Sequence, residues 1–479
     1  MTDEFELNSK DLKTYPHFDK PISLRNIKNL VTNKEAVAKH GFYPFFHFEE
    51  KWQPFRSLDG TGKPAPKIRP IRYGARRDAY IFAHYRKKLS KLYERKLLSL
   101  GIEACPIAYR QIPKSDTNSG KCNIDFAKDA FDEIDRLGDC VAIALDIRGY
   151  FDSLDHSRIK QTWADLLEVK QLPDDHYNVF KHITKYSYVD QLDVYKRLGY
   201  FGEKISGKMV IEGYLVAYNS MPKQICTPSE FRRLICGSGP KTSLIKKNTF
   251  TYGIPQGAPI SDLIANFYLL DFDVKLNEFA QSRGGRYMRY SDDILIIVPG
   301  ALREANEAED FCKKTIRSFG DQLEIKDAKT CVVQYKLTKS GLQYEHLLGP
   351  QGRNGFEYLG FRYDGRKVYI RDSTLSRLYR KVAVATRREA IRHIAKNPSS
   401  SLTSLIDTFP YSKITQRYVR VKKGSLTEDY RSWTFYTYLK RAAKVFGTKG
   451  DKILPQARNI QNFMRAKAQQ VLIDKKTPQ

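Results

Sequence analysis

Asp292 and Asp293 are adjacent carboxylates in the run Arg289-Tyr290-Ser291-Asp292-Asp293-Ile294-Leu295-Ile296-Ile297-Val298. Ionised side by side, they repel each other unless a cation lies between them. A hard divalent ion such as Mg²⁺ suits that position, because it takes carboxylate oxygens together with substrate phosphates. Chemistry of this kind calls for a third carboxylate, and Asp146 offers one at the end of the apolar stretch Val141-Ala142-Ile143-Ala144-Leu145. An acid stranded at the end of a buried strand needs a cation or a buried partner.

The elements around these acids must hold them in place. Tyr287 to Tyr290 and the β-branched run Ile294 to Val298 predict a β-hairpin with both aspartates at its tip. Val141, Ile143 and Leu145 alternate inward along a second strand. Between the two lies Tyr252-Gly253-Ile254-Pro255-Gln256-Gly257-Ala258-Pro259-Ile260-Ser261, a loop that feeds a helix predicted over Ser261 to Phe272. Its glycines free the backbone to approach a ligand closely, and the Gln256 amide can both donate and accept. Asp152 and Asp155 read instead as turn or helix-capping residues.

Upstream, Lys63-Pro64-Ala65-Pro66-Lys67-Ile68-Arg69-Pro70-Ile71-Arg72 is a basic, proline-punctuated strand or hairpin followed by a helix over Arg76 to Leu97. Before it, Ser23 caps a short amphipathic helix that leads to the aromatic cluster Phe42 to Phe48. Ser157 to Asn248 is a long segment that we read as an insertion beside Asp146. From Asp372 the pattern is helical and basic, through Arg377, Arg380, Lys381, Arg387, Arg388, Arg392 and Lys396, with a break at Asn397-Pro398-Ser399-Ser400-Ser401. Trp433, Tyr436, Leu439, Ala443 and Phe446 have the spacing of a helix facing a core.

The chain has 479 residues and 41% hydrophobic content, enough for a sizeable core in a multi-lobed enzyme or about three domains. Lys and Arg exceed Asp and Glu by 28 charges, and the sequence pI is about 9.6. That balance points to a polyanionic partner, nucleic acid above all. Seven cysteines, odd in number and without a CxxC pair, speak against a disulfide framework or a structural zinc site. Met1 to Lys20 carries acids and no apolar core, and no run approaches a membrane span, so the expectation is a cytoplasmic protein.

Taken in order, the stretches around Asp146, Gly253 to Ser261 and Tyr290 to Asp293 resemble motifs A, B and C of the reverse transcriptases. Leu323 to Val332 resembles motif D, and Phe356-Glu357-Tyr358-Leu359-Gly360-Phe361 resembles motif E. The resemblance spans roughly Lys63 to Lys396. It implies an α+β right-hand polymerase with an antiparallel-sheet palm and a basic helical C-terminal thumb. The boundaries expected are an N-terminal extension at 1–60, fingers at 61–140, a palm at 141–370 with an insertion at about 157–248, and a thumb and C-terminal region at 371–479.

What the family implies for single residues follows from those motifs. Asp146, Asp292 and Asp293, with the backbone carbonyl of Ile147, would hold two Mg²⁺ ions about 3.5–4 Å apart. Lys329 would be the proton donor to departing pyrophosphate. Lys67 and Arg69 would meet the triphosphate, Gln256 the sugar or base, and Phe151 would exclude a 2′-hydroxyl by bulk. Tyr358, Leu359 and Gly360 would grip the primer, and Arg110 would lie along the template. The partners implied are dNTPs, an RNA template and a DNA product.

The long insertion, the basic tail and the want of an appended nuclease look most like the bacterial "unknown group" defence-associated enzymes, with retron and group II intron enzymes as neighbours. That likeness implies antiphage defence and a non-coding RNA partner. Two other functions share part of the pattern. One is an RNA-dependent RNA polymerase, which uses the same carboxylate geometry, and the other is a catalytically silent RNA-binding scaffold.

Overall fold

A computed structural model describes residues 11–52, 66–114, 119–207, 209–238, 242–418 and 434–476. Expectations that rest on residues 1–10, on Lys63 to Ala65 and on Trp433 lie outside the described residues. Along the chain run β1 (Phe45–Trp52), β2 (Lys67–Tyr73), β3 (Cys140–Asp146), β4 (Ser187–Asp190), β5 (Phe201–Ser206), β6 (Met209–Tyr214) and β7 (Lys246–Lys247). They are followed by β8 (Arg286–Tyr290), β9 (Asp293–Pro299), β10 (Cys331–Thr338), β11 (Gly341–Leu348), β12 (Phe356–Tyr358), β13 (Phe361–Tyr363) and β14 (Val368–Ile370).

A five-stranded antiparallel sheet of order β11-β10-β3-β9-β8 carries the acids. Its strands β3 and β9 are apolar apart from Asp146 and Asp293 at their ends, because both faces are covered. In β3, Val141, Ile143 and Leu145 enter one core with Trp163, Phe267 and Phe272, while Cys140 and Ala142 enter a second with Phe131 and Tyr335. In β9, Ile294, Ile296 and Val298 face the first core, and Leu295 and Ile297 the second. The alternation along β3 thus separates two interiors, where a strand with one inward face was expected.

The helix after the Gly253–Gly257 loop is longer than predicted and interrupted. It runs as Ser261–Tyr268 and then Leu270–Gln281, with Leu269 at φ −97°, ψ 19° between them. Both pieces press against the sheet through Ile264, Phe267, Phe272 and Leu276. Asp155 caps the helix His156–Leu166 by accepting from Arg158 N at 2.9 Å, the role its spacing suggested.

The segment between motifs A and B differs most from its expected place on the palm. β4 pairs in parallel with β1, and β7 with β4, so two of its strands extend the β1–β2 hairpin into a four-stranded sheet of order β2-β1-β4-β7. Among the described strands of this segment, β5 and β6 alone stand apart from that sheet, as a two-stranded hairpin with Ile205, Met209 and Val210 exposed.

Past the β12–β14 sheet, the helices Asp372–Lys396, Leu402–Asp407, Tyr411–Tyr418, Phe435–Phe446 and Ile460–Lys476 pack around Val382, Leu405, Ile414, Leu439, Met464 and Leu472. Leu439 and Phe446 are buried as their helical spacing predicted. Arg377, Lys381, Arg387, Arg388 and Arg392 stay exposed on the first of these helices. Among the described residues, no helix is long and apolar enough to cross a membrane.

Ile296 is fully buried in the middle of β9. Ile296→Ala is expected to destabilise the fold by about 2–5 kcal/mol, the usual range for a truncation of this kind. Chemical denaturation would show it as a lower midpoint at unchanged slope.

Candidate active site

The β3–β9 ladder sets Asp146 directly opposite Asp293. The β8–β9 hairpin closes with Tyr290 opposite Asp293, so Ser291 and Asp292 form a two-residue loop. Ser291 adopts φ +61°, a left-handed conformation that costs free energy in any residue but glycine. Ile147 N donates to Asp292 O at 3.0 Å, and Lys326 N donates to Asp146 O at 2.8 Å. The turn that bears one acid is thereby bonded to the residue after another, and the three aspartates gather at one end of the sheet.

Their charges are poorly compensated. Burial, and then the charges of Asp292 and Asp146, raise the Asp293 carboxyl to about 7, against partial relief from Lys329 and Arg371. Asp292 is also pushed up, mainly by burial and further by Asp146. The principal cation at hand is Lys329, whose ammonium donates to Asp146 Oδ2. The expected single cage is therefore open. Among the described residues, no three acidic, His or Cys side chains converge to ligand distance, and Asp146 is turned onto lysine.

The donor set nonetheless fits a hard divalent cation. It consists of carboxylate oxygens alone, in negative excess, with a monovalent ammonium already drawn to one of them. Asp146, Asp292 and Asp293 would hold such an ion, joined by the Ile147 carbonyl.

β2 and the Gly253–Gly257 loop close one side of the site. Arg72 N donates to Gln256 O, Ile254 N to Phe151 O, and Gly253 N to Leu154 O, each at 2.8 Å. Gly257, at φ +114°, lies so close to β2 that a Cβ there would sit 2.8 Å from Arg72 O. Phe151, Gln256 and β2 are thus held together. Lys67 and Arg69, two residues apart on β2, are both exposed. The Lys67 ammonium is lowered by partial burial and then by the like charges of Lys329 and Lys326, with Asp146 acting the other way.

Two expected contacts need correction, and a third residue is already engaged. Arg110 is consumed internally: Nε and Nη2 bind the two Glu94 carboxylate oxygens at 2.8 and 2.6 Å, and Nη1 donates to Glu103 O and Pro106 O. One Nη2 N–H remains, on a side chain only 5% exposed, so no fork is left for a template phosphate. Tyr358 is buried beside Phe356, so its ring cannot lie on a primer. The Leu359-Gly360 turn can, since both residues have positive φ and a Cβ added at Gly360 would meet open space. Lys329 stands on Asp146 rather than waiting free for pyrophosphate.

Sequence reasoning missed several members. Arg289 was quoted but given no role, and it is fully buried against Asp273. Arg371 pairs with Glu357 at 2.5 Å and eases the charge on Asp293. Tyr109 OH donates to Ser291 Oγ at 3.4 Å. The guanidinium of Arg72 lies 5.2 and 5.0 Å from the ring centres of Tyr186 and Tyr188, residues of the segment between motifs A and B. The one local signal was Arg289 itself, a charge next to the acid turn on a strand expected to be buried, which needs a counter-ion.

An antiparallel sheet with an acid pair on a hairpin turn, facing a third acid on the neighbouring strand, is the arrangement that the resemblance implied for a polymerase palm. Residues 222–363 match the family model described as reverse transcriptase (RNA-dependent DNA polymerase). That span takes in the motif B loop, the β8–β9 hairpin and the β12–β13 turn, and it begins after Asp146.

The chain is also 37% identical over 79 residues to the retron Ec86 reverse transcriptase of Escherichia coli. This alignment takes in 16% of the present chain and 24% of that enzyme's length. Among solved structures, telomerase from Candida albicans in complex with a TWJ fragment of telomeric RNA superposes with a TM-score of 0.36 at 10% identity, over 92% of this chain and 63% of that one. Apo telomerase from Candida tropicalis gives 0.36 at 12%, over 95% and 72%.

The raised Asp293 carboxyl makes stability depend on pH when divalent ions are removed. Its folded value, about 7, exceeds the ordinary 3.8, so its contribution is fully present below about pH 4 and is lost as pH rises through 7. In EDTA, the thermal midpoint of Asp293→Asn should fall less between pH 4 and 8 than that of the wild type. Equal slopes in the two proteins would contradict this.

Proposed function

We propose that this chain is an RNA-directed DNA polymerase that copies an RNA template into DNA from dNTPs. The observation that carries the reading is the register of β3 against β9, which sets Asp146 across from Asp293 beside the turn that bears Asp292. Two Mg²⁺ ions bound there would activate the primer 3′-hydroxyl and stabilise the charge that develops on the leaving pyrophosphate.

The chain's own residues do the rest. Lys67 and Arg69 neutralise and orient the triphosphate, the guanidinium binding two oxygens at once. Phe151 fills the space that a 2′-hydroxyl would need, which favours deoxynucleotides by steric exclusion. The Gln256 amide contacts the nucleotide's sugar or base. Lys329 leaves Asp146 once the acids have a stronger counter-charge, and is then free to give a proton to the leaving oxygen.

We assign the fingers to 61–140 with β4 and β7 added, the palm to the rest of 141–370, and the thumb to 371–479, where the exposed arginines would follow a duplex by its phosphates. The Leu359-Gly360 turn receives the primer end. We further propose a role in antiphage defence with a non-coding RNA as template. The support is the likeness to the defence-associated group, in particular the long segment between motifs A and B and the basic helical tail.

Primer extension on an RNA template tests the activity. Wild-type protein should incorporate dNTPs in Mg²⁺, and Asp292→Asn should lower the rate by at least about 10²-fold, the scale of losing one preorganised electrostatic group. Phe151→Ala should admit NTPs while keeping dNTP incorporation. Extension by the wild type with NTPs alone would favour an RNA polymerase instead. In cells, protection from phage that survives replacement of both Asp292 and Asp293 by alanine would favour a silent scaffold.

A further inference from the structure

We propose that Arg289 is a positioning residue that holds the Ser291-Asp292 turn in its strained, competent geometry by tying it to the helices behind the sheet. This rests on the polymerase reading above and names what keeps that site assembled.

Arg289 and Asp273 are both fully buried and joined by two bonds, Nε to Oδ1 at 2.7 Å and Nη2 to Oδ2 at 2.6 Å. Such a fork fixes the guanidinium plane as well as its place. The bonds left over go to the turn and to a helix. Nη1 donates to Ser291 O at 3.1 Å, and Nη2 donates to Asn266 O at 3.1 Å. Tyr287 OH donates to Asp273 Oδ1 at 2.7 Å, so the acid is braced from β8 too. The backbone of Arg289 is clamped on both sides, its N donating to Cys105 O and its O accepting from Ile107 N.

This arrangement is more than a core ion pair. A buried pair often gives little net stability, and an apolar pair of like volume would fill the space as well. What an apolar pair could not do is hold the carbonyl of Ser291. That residue sits at φ +61°, where serine does not stay unaided, and its carbonyl belongs to the peptide that leads into Asp292.

One end of the tie is the helix pair Ser261–Tyr268 and Leu270–Gln281, through Asn266 and Asp273. The same pair follows directly from the loop that carries Gln256. Arg289 therefore sets the distance between the nucleotide side of the site and the acid turn.

The test is steady-state primer extension with wild type, Arg289→Lys, Ser291→Gly and the double variant, with thermal melting of each. Arg289→Lys keeps the charge on Asp273 but loses the fork. Its kcat should fall by about 10²-fold, the scale of an ångström-sized misplacement, with the KM for dNTP within about twofold and a higher Mg²⁺ concentration at half-maximal rate. Ser291→Gly in that background should recover much of the kcat, because glycine holds a positive φ without the tie. A purely structural Arg289 would instead lower the melting temperature and leave the Mg²⁺ requirement and the rescue unmoved, and that result would overturn the proposal.

Should Arg289→Lys not fold, Tyr287→Phe removes only the brace on Asp273. It should lower kcat by about threefold and raise the Mg²⁺ requirement, the scale of one hydrogen bond. No change in either readout would equally overturn the proposal. A wild-type protein that does not extend primers at all would instead refute the polymerase reading.

Discussion

The register of β3 on β9 forces like charges together, and the surrounding structure can be understood as the means of tolerating them. Asp146 faces Asp293, and Asp292 is held by its carbonyl to Ile147 N. Folding would avoid such a cluster unless the apolar strands behind it stabilised more than the acids cost. Those strands are buried on both faces, so their pairing cannot slip by one residue without moving every side chain into the wrong core. The acids are placed by hydrophobic register, and their repulsion is the consequence. Lys329 answers part of it, and a divalent ion would answer it more fully.

Around this centre, three separate parts of the chain are made into one wall. β2 bonds to the Gln256 loop, that loop bonds to the Phe151 turn, and Gly257 permits the close approach. The strands β4 and β7 extend the β1–β2 sheet, and Tyr186 and Tyr188 lie against Arg72 from that side. The long segment between β3 and the Gln256 loop thus adds strands to the sheet that carries β2. On the opposite side, Arg371 links the β12–β13 turn to the electrostatics of Asp293 through its pair with Glu357.

How far the amino-acid sequence was legible depended on the range of the interaction. The β8–β9 hairpin and β3 could be read because a run such as Ile294 to Val298 flanked by acids carries its own signal. The cap at Asp155 is equally local. Arg110 and Tyr358 were misread because residue type and motif position do not reveal facing. Arg110 meets Glu94 across a helix and a loop, and Tyr358 turns inward on a three-residue strand.

Arg289 was legible only as an oddity, since its partner Asp273 lies on a helix whose pattern gave no hint of a buried acid. The parallel pairing of β4 with β1 joins a four-residue strand to one far upstream, and nothing in so short a stretch selects its partner. The break at Leu269 has no glycine or proline to announce it.

The central claim is that Asp146, Asp292 and Asp293 act together as one divalent-ion site although the chain brings Asp146 from a distant strand. Counting the Mn²⁺ ions bound to the purified protein with primer, template and dNTP, by electron paramagnetic resonance, tests it most directly. The account predicts two bound ions in the wild type and loss of at least one in Asp146→Asn. Equal binding by the two proteins would contradict it.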